Sequence, residues 1–131
     1  MRNGLTIALL LLSGLSILAT GVIGLTDPQT LFTPLGTQIA GVDAANEARA
    51  AYGGMYVALG LLILAATLRS DFRKPALWLT FAIMGGLTMG RLVSFVIDGI
   101  PGGFVFQLLL FEGTATVASA GLLFTHEAKA D

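Results

Sequence analysis

The chain is predicted to be all-α, a bundle of four helices embedded in a membrane. Composition is the first reason. Of its 131 residues, 55% are hydrophobic and 11% charged, with a mean hydropathy of +0.85. A soluble domain carries ~25% charged residues, and a small one has much surface to cover with polar groups. The second reason is four long apolar runs, at 5–25, 44–68, 75–97 and 104–124, each long enough for a spanning helix of ~20 residues. The third is their texture. They are continuous and rich in leucine and alanine rather than alternating, which argues against barrel strands.

The first run, LTIALLLLSGLSILATGVIGL, follows Arg2 and carries small residues Ala19 and Gly21 near its end. That resembles a secretory signal, but the run is about twice the usual signal core, so it is expected to be retained as a span. The segment 26–43 is then an external loop. Asp27 and Pro28 read as an N-cap and first helical residue. Leu31, Phe32 and Leu35 would lie flat on the membrane, with Pro34 limiting the helix. Asp43 is the expected cap of the second span. RSDFRK separates spans two and three, Trp78 sits near the start of span three as an interfacial ring, and Gly99–Pro101–Gly102 forms a tight turn into span four. The tail HEAKAD is too short for a domain, and His126 within it is expected to be solvated.

Charge orients the spans. Arg2, Arg69, Arg73, Lys74 and Lys129 fall on one side if the spans alternate, whereas 26–43 and 98–103 contain no Lys or Arg. The positive-inside rule then places both termini in the cytoplasm of a bacterial inner membrane. Net charge is −1 with no basic run, which excludes the basic face of a nucleic-acid binder. There is no cysteine and one histidine, so disulfides, thiol catalysis and the usual zinc sites are excluded. No cofactor or metal is implied. Neither a Walker loop, a dinucleotide fingerprint nor HExxH is present, and the chain reads as non-enzymatic.

Five ionisable residues lie in the outer halves of the spans or at their ends: Glu47, Arg49, Arg91, Asp98 and Glu112. A charge at mid-membrane costs about 2.5–3.5 kcal/mol on insertion scales, so each needs a partner or water. Arg91 and Glu112 flank the Gly99–Gly102 turn at depths that differ by about 6 Å on antiparallel helices, within reach of an arginine. An Arg91–Glu112 ion pair is expected, with Asp98 and Glu47 as further acids for Arg91. Thr88, Arg91 and Asp98 share one helical face, Glu112, Thr116 and Ser119 another, and Arg49, Tyr52 and Tyr56 a third. Together they predict a polar cluster at the external end. Glu47 and Arg49, two apart, point in different directions.

Seventeen glycines are present, many within the spans, where small residues let helices approach closely. Gly53, Gly54, Gly86 and Gly90 are the expected packing positions. Gly86 and Gly90 form a GxxxG pair, read first as packing within the chain and second as a dimer contact.

The stretches NEARAAYGGMYVALG, GGLTMGRLVSFVIDG and FEGTATVASAGLL resemble a bacterial family of small four-helix membrane proteins known as a domain of unknown function. The features that carry the resemblance are Asn46, Arg49, Tyr52, Gly53 and Gly54, then Gly90, Arg91, Asp98 and Gly99, then Glu112. It covers about 5–125 and implies the fold and the same polar residues, with no activity attached.

Two functions fit this pattern. In the first, the protein is a non-enzymatic accessory or assembly subunit, and Arg91–Glu112 fixes helix pairing while glycine faces meet a larger membrane complex or a second copy. In the second, Arg49, Arg91, Tyr52 and Tyr56 bind or transport a small amphipathic molecule such as a lipid head group, quinone or organic anion. Membrane lipids are partners in both.

Overall fold

The computed structural model describes residues 2–127, with side chains for 3–124. The side chains of Arg2 and His126, and Lys129 with the rest of the tail, lie outside the described residues. Among the described residues every regular element is helical. Helix α1 is Arg2–Thr26. A short α2, Gln29–Phe32, runs into a 3-10 turn at Thr33–Leu35. Helix α3, Gly41–Ala48, passes through a π-helical turn at Arg49–Gly54 into α4, Met55–Leu68. After a 3-10 turn at Ser70–Phe72 come α5, Arg73–Ile97, and α6, Gly103–Glu127. Four helical stretches are long and apolar enough to cross a membrane: Asn3–Thr26, Gly41–Leu68, Ser70–Ile97 and Gly103–Phe124.

The chain divides into two compact units, one of Leu11–Ala65 and one of the residues up to Leu10 together with those from Ala66 onward. Within Leu11–Ala65, α1 and the α3–α4 span lie antiparallel along a glycine-lined seam. A Cβ added at Gly14 would stand 2.8 Å from Leu64 Cγ, at Gly21 2.5 Å from Val57 N, at Gly24 2.4 Å from Tyr52 O, and at Gly60 2.7 Å from Leu18 N. Gly53 receives Leu25 in the same way, with Cδ2 at 2.8 Å. At Gly14 and Gly53 a leucine side chain fills the space, while at Gly21, Gly24 and Gly60 the opposite backbone itself comes closer than a side chain would permit. In lipid, where helix association depends on van der Waals packing, such close approach is what holds helices together.

In the other unit α5 and α6 run antiparallel. Thr116 faces Gly85 and Thr88 faces Gly113. The buried stripe of α6 is Glu112, Ala115, Ser119 and Leu123, and that of α5 is Ala76, Leu77, Thr80 and Met84, both at helical spacing. Buried Thr80 and Ser119 hydroxyls donate to Ala76 O and Ala115 O, one turn earlier, so they enter an apolar interior already satisfied. Trp78 is half-exposed and edge-on to Phe81.

The loop between α1 and α3 departs from expectation. Pro28, in the helical region, precedes α2, and Asp27 does not cap its backbone: its Oδ2 accepts from Thr30 Oγ1 at 2.7 Å. Gly36, at φ 71°, turns the chain out of the 3-10 segment. Gln29 then pins the loop. Its Nε2 donates to Thr37 O at 3.0 Å and to Thr33 Oγ1 at 3.3 Å, while its Oε1 accepts from Ile39 N at 2.8 Å. Leu31 and Phe32 are part-buried and Leu35 is exposed. Asp43 is likewise not the cap of its span. That position belongs to Ala40, in extended geometry, and Asp43 lies in the first turn, where a carboxylate still complements the helix dipole.

Candidate functional site

The polar residues singled out from the sequence fall into two groups, one in each unit. In the first, α5 presents Arg91 to Glu112 of α6. Arg91 Nε donates to Glu112 Oε2 at 2.6 Å and Nη2 to Oε1 at 2.8 Å. The side chains keep 22% and 7% of their exposure. This side-on, two-bond geometry is the arrangement that best offsets the desolvation of a buried carboxylate. Thr116 Oγ1 donates to the main-chain oxygen of Glu112 at 2.8 Å. Asp98, at the end of α5, is exposed and accepts from Ser94 Oγ at 2.8 Å, so it serves the local helix end rather than Arg91. The neighbours of the pair, Leu92 and Gly113, line an apolar groove of about 600 Å³ with Leu109, Leu110, Thr114 and Val117. Thr114 is the one polar side chain in that lining, and no charged group is among it.

In the second group, Arg49 stands where α3 enters the π turn. Its side chain is exposed, and Nε donates to Leu25 O at 3.1 Å. Leu25 lies in the last turn of α1, whose carbonyls have no intrahelical partners and which has no basic residue of its own. Arg49 therefore supplies, from another helix, the cation that a helix C-terminus favours. Tyr52 packs edge-on against Phe32 with centroids 5.2 Å apart and lies 6.0 Å from Tyr56, so the loop and the span share an aromatic wall. Glu47 is exposed.

The glycines divide differently from expectation. Gly53 packs against Leu25, but Gly54 has only Arg49 O at 3.9 Å, and at Gly86 and Gly90 an added Cβ would meet nothing within 4 Å. The GxxxG pair thus has open space before it and packs against none of the described residues. Glycines at 14, 21, 24 and 60 do so instead. Their spacing, fourteen to twenty-one and fifty-three to sixty, is the available sequence signal: one glycine every two turns on one face. The π turn at Arg49–Gly54 likewise leaves no mark in the sequence. Met55 N–H bonds to Ala50 O, five residues back, and an apolar run reads the same in either helix form. Among the described residues no three of His, Cys, Asp and Glu gather as metal ligands.

The fold and the buried pair define a small all-α membrane protein. The chain belongs to the family described as Domain of unknown function (DUF4345), whose model matches residues 5–123. No curated protein and no solved structure matches it.

Proposed function

We propose that the protein is a non-enzymatic subunit of a bacterial inner membrane, a helical adaptor that holds α5 in a fixed rotation and offers its Gly86–Gly90 face to a helix of another protein. One observation carries this reading: on α5 the charge is closed inward on Glu112, while the GxxxG face has open space before it. Met89 and Val93, also exposed, extend that face with apolar surface. A bidentate lock between α5 and α6 fixes which side of α5 is presented. Both termini face the cytoplasm in this reading. Its support is the Arg69, Arg73 and Lys74 cluster between the second and third spans, against segments without Lys or Arg on the other side.

The absence of native cysteine makes the test clean. Single Gly86→Cys and Gly90→Cys variants, oxidised in native membranes, should each yield a disulfide-linked or reagent-bridged product containing a second protein, while Val117→Cys on α6 should not. Monomer alone from both glycine positions would rule the reading out, and a product of twice the chain mass would make the partner a second copy.

A further inference from the structure

Once Arg49 Nε has capped α1, the rest of its guanidinium is unaccounted for. Among the described residues no carboxylate pairs with it, and its hydrogen-bond partner is Leu25 O alone. Glu47, two residues away on the same helix, faces elsewhere. Arginine is a permanent cation with a planar fork of donors, and here the Nε edge is held while Nη1 and Nη2 remain open. The adjoining segment 26–43 contains no Lys or Arg, so that loop brings no other cation to Arg49.

Depth gives the fork a meaning. Arg49 lies nineteen residues before Leu68, the end of α4, or about 28 Å at a rise of 1.5 Å per residue. A hydrocarbon core is ~30 Å thick. With Leu68 at one boundary, Arg49 stands at the other, and its long side chain can extend into the headgroup layer just outside, where lipid phosphates lie. Tyr52, 42% exposed, stands one turn deeper beside Phe32, at the level where interfacial rings concentrate.

We propose that Arg49 binds the phosphodiester of an anionic phospholipid, its two terminal nitrogens on the phosphate oxygens and the Tyr52–Phe32 wall beside the glycerol region. The geometry suits phosphate because a guanidinium edge matches two of its oxygens at once. The Leu25 O bond keeps the fork from folding away and so lowers the ordering cost of binding. This site is independent of the Gly86–Gly90 face.

Native mass spectrometry of the full chain in detergent micelles tests it, with phosphatidylglycerol, phosphatidylcholine and inorganic phosphate as probes. One phosphatidylglycerol should be retained about tenfold better than phosphatidylcholine. Arg49→Ala should weaken its retention about tenfold, the worth of one strong charged contact. Arg49→Lys, which keeps the charge but not the fork, should weaken it about threefold. Circular dichroism reports whether each variant keeps its helicity, and if Arg49→Ala loses it, Arg49→Lys decides. Unchanged retention in the folded variants overturns the proposal. So does equal retention of the two lipids. Displacement of the lipid by millimolar inorganic phosphate would also overturn it, by making the site one for soluble anions.

Discussion

Arg91 and Glu112 are joined side-on by two hydrogen bonds of 2.6 and 2.8 Å across antiparallel α5 and α6. Both carboxylate oxygens are engaged and the carboxylate is nearly sealed from solvent. Removing one partner of such a pair strands the other. Arg91→Ala is therefore expected to cost about 3–5 kcal/mol, read from SDS-titrated unfolding in mixed micelles. Arg91→Ala with Glu112→Ala should recover part of that loss, because no uncompensated charge remains. Glu112→Gln should cost less than Arg91→Ala. A double variant no more stable than the single one would mean that the pair does not set α5–α6 stability.

The glycine seam predicts opposite outcomes for like substitutions. Gly21→Ala and Gly24→Ala put a methyl 2.5 Å from Val57 N and 2.4 Å from Tyr52 O. Those are backbone atoms that cannot swing aside, so α1 and α4 must part, at about 1–3 kcal/mol for overpacking. Gly86→Ala meets nothing and replaces a poor helix former with the best one, a gain of up to about 1 kcal/mol. The same unfolding assay separates the two classes. Equal stability of Gly21→Ala and the wild type would contradict the seam.

The contrast shows what the sequence could carry. The all-α class and the four long apolar helices follow from composition and run length, which need no tertiary information. The meeting of Arg91 with Glu112 follows from one tight turn and helical rise, because two antiparallel neighbours have few ways to disagree in depth. Which glycines face a neighbour is different, since rotation about each helix axis decides it and that is set by partners distant in sequence. Gly86-x-x-x-Gly90 has the better-known spacing and faces open space, whereas Gly14, Gly21 and Gly24 take the contact. The caps failed for a related reason. Asp27 and Asp43 have the right chemistry, but Asp27 bonds Thr30 and Asp43 sits inside the first turn of α3.

Gln29 holds the α1–α3 loop with three hydrogen bonds to Thr33, Thr37 and Ile39. Its loss should act locally. Gln29→Ala leaves Ile39 N–H without its acceptor, and a net hydrogen bond of ~1 kcal/mol corresponds to amide exchange about fivefold faster. Hydrogen exchange resolved over 33–40 should show that acceleration, with exchange in α4 unchanged. Equal protection of Ile39 in the variant would show that the backbone holds the loop unaided.

The π turn at Arg49–Gly54 allows a deletion experiment. A π turn accommodates one extra residue within an otherwise α-helical span, and its five-residue bond from Met55 N–H to Ala50 O marks where. Deleting Ala51 should let α3 run directly into α4 as α-helix. Tyr52 and everything after it would keep their positions, so Gly53 would still receive Leu25 and Gly60 would still face Leu18. Deleting Ala58, inside regular α4, removes about 100° of rotation and turns Gly53 and Val57 away from the face that holds Gly60 and Leu64. The Ala51 deletion should therefore stay within about 1–2 kcal/mol of the wild type, while the Ala58 deletion should lose the α1–α4 seam and unfold at far lower SDS. Equal damage from both would mean that the π turn is integral to the packing rather than an inserted residue.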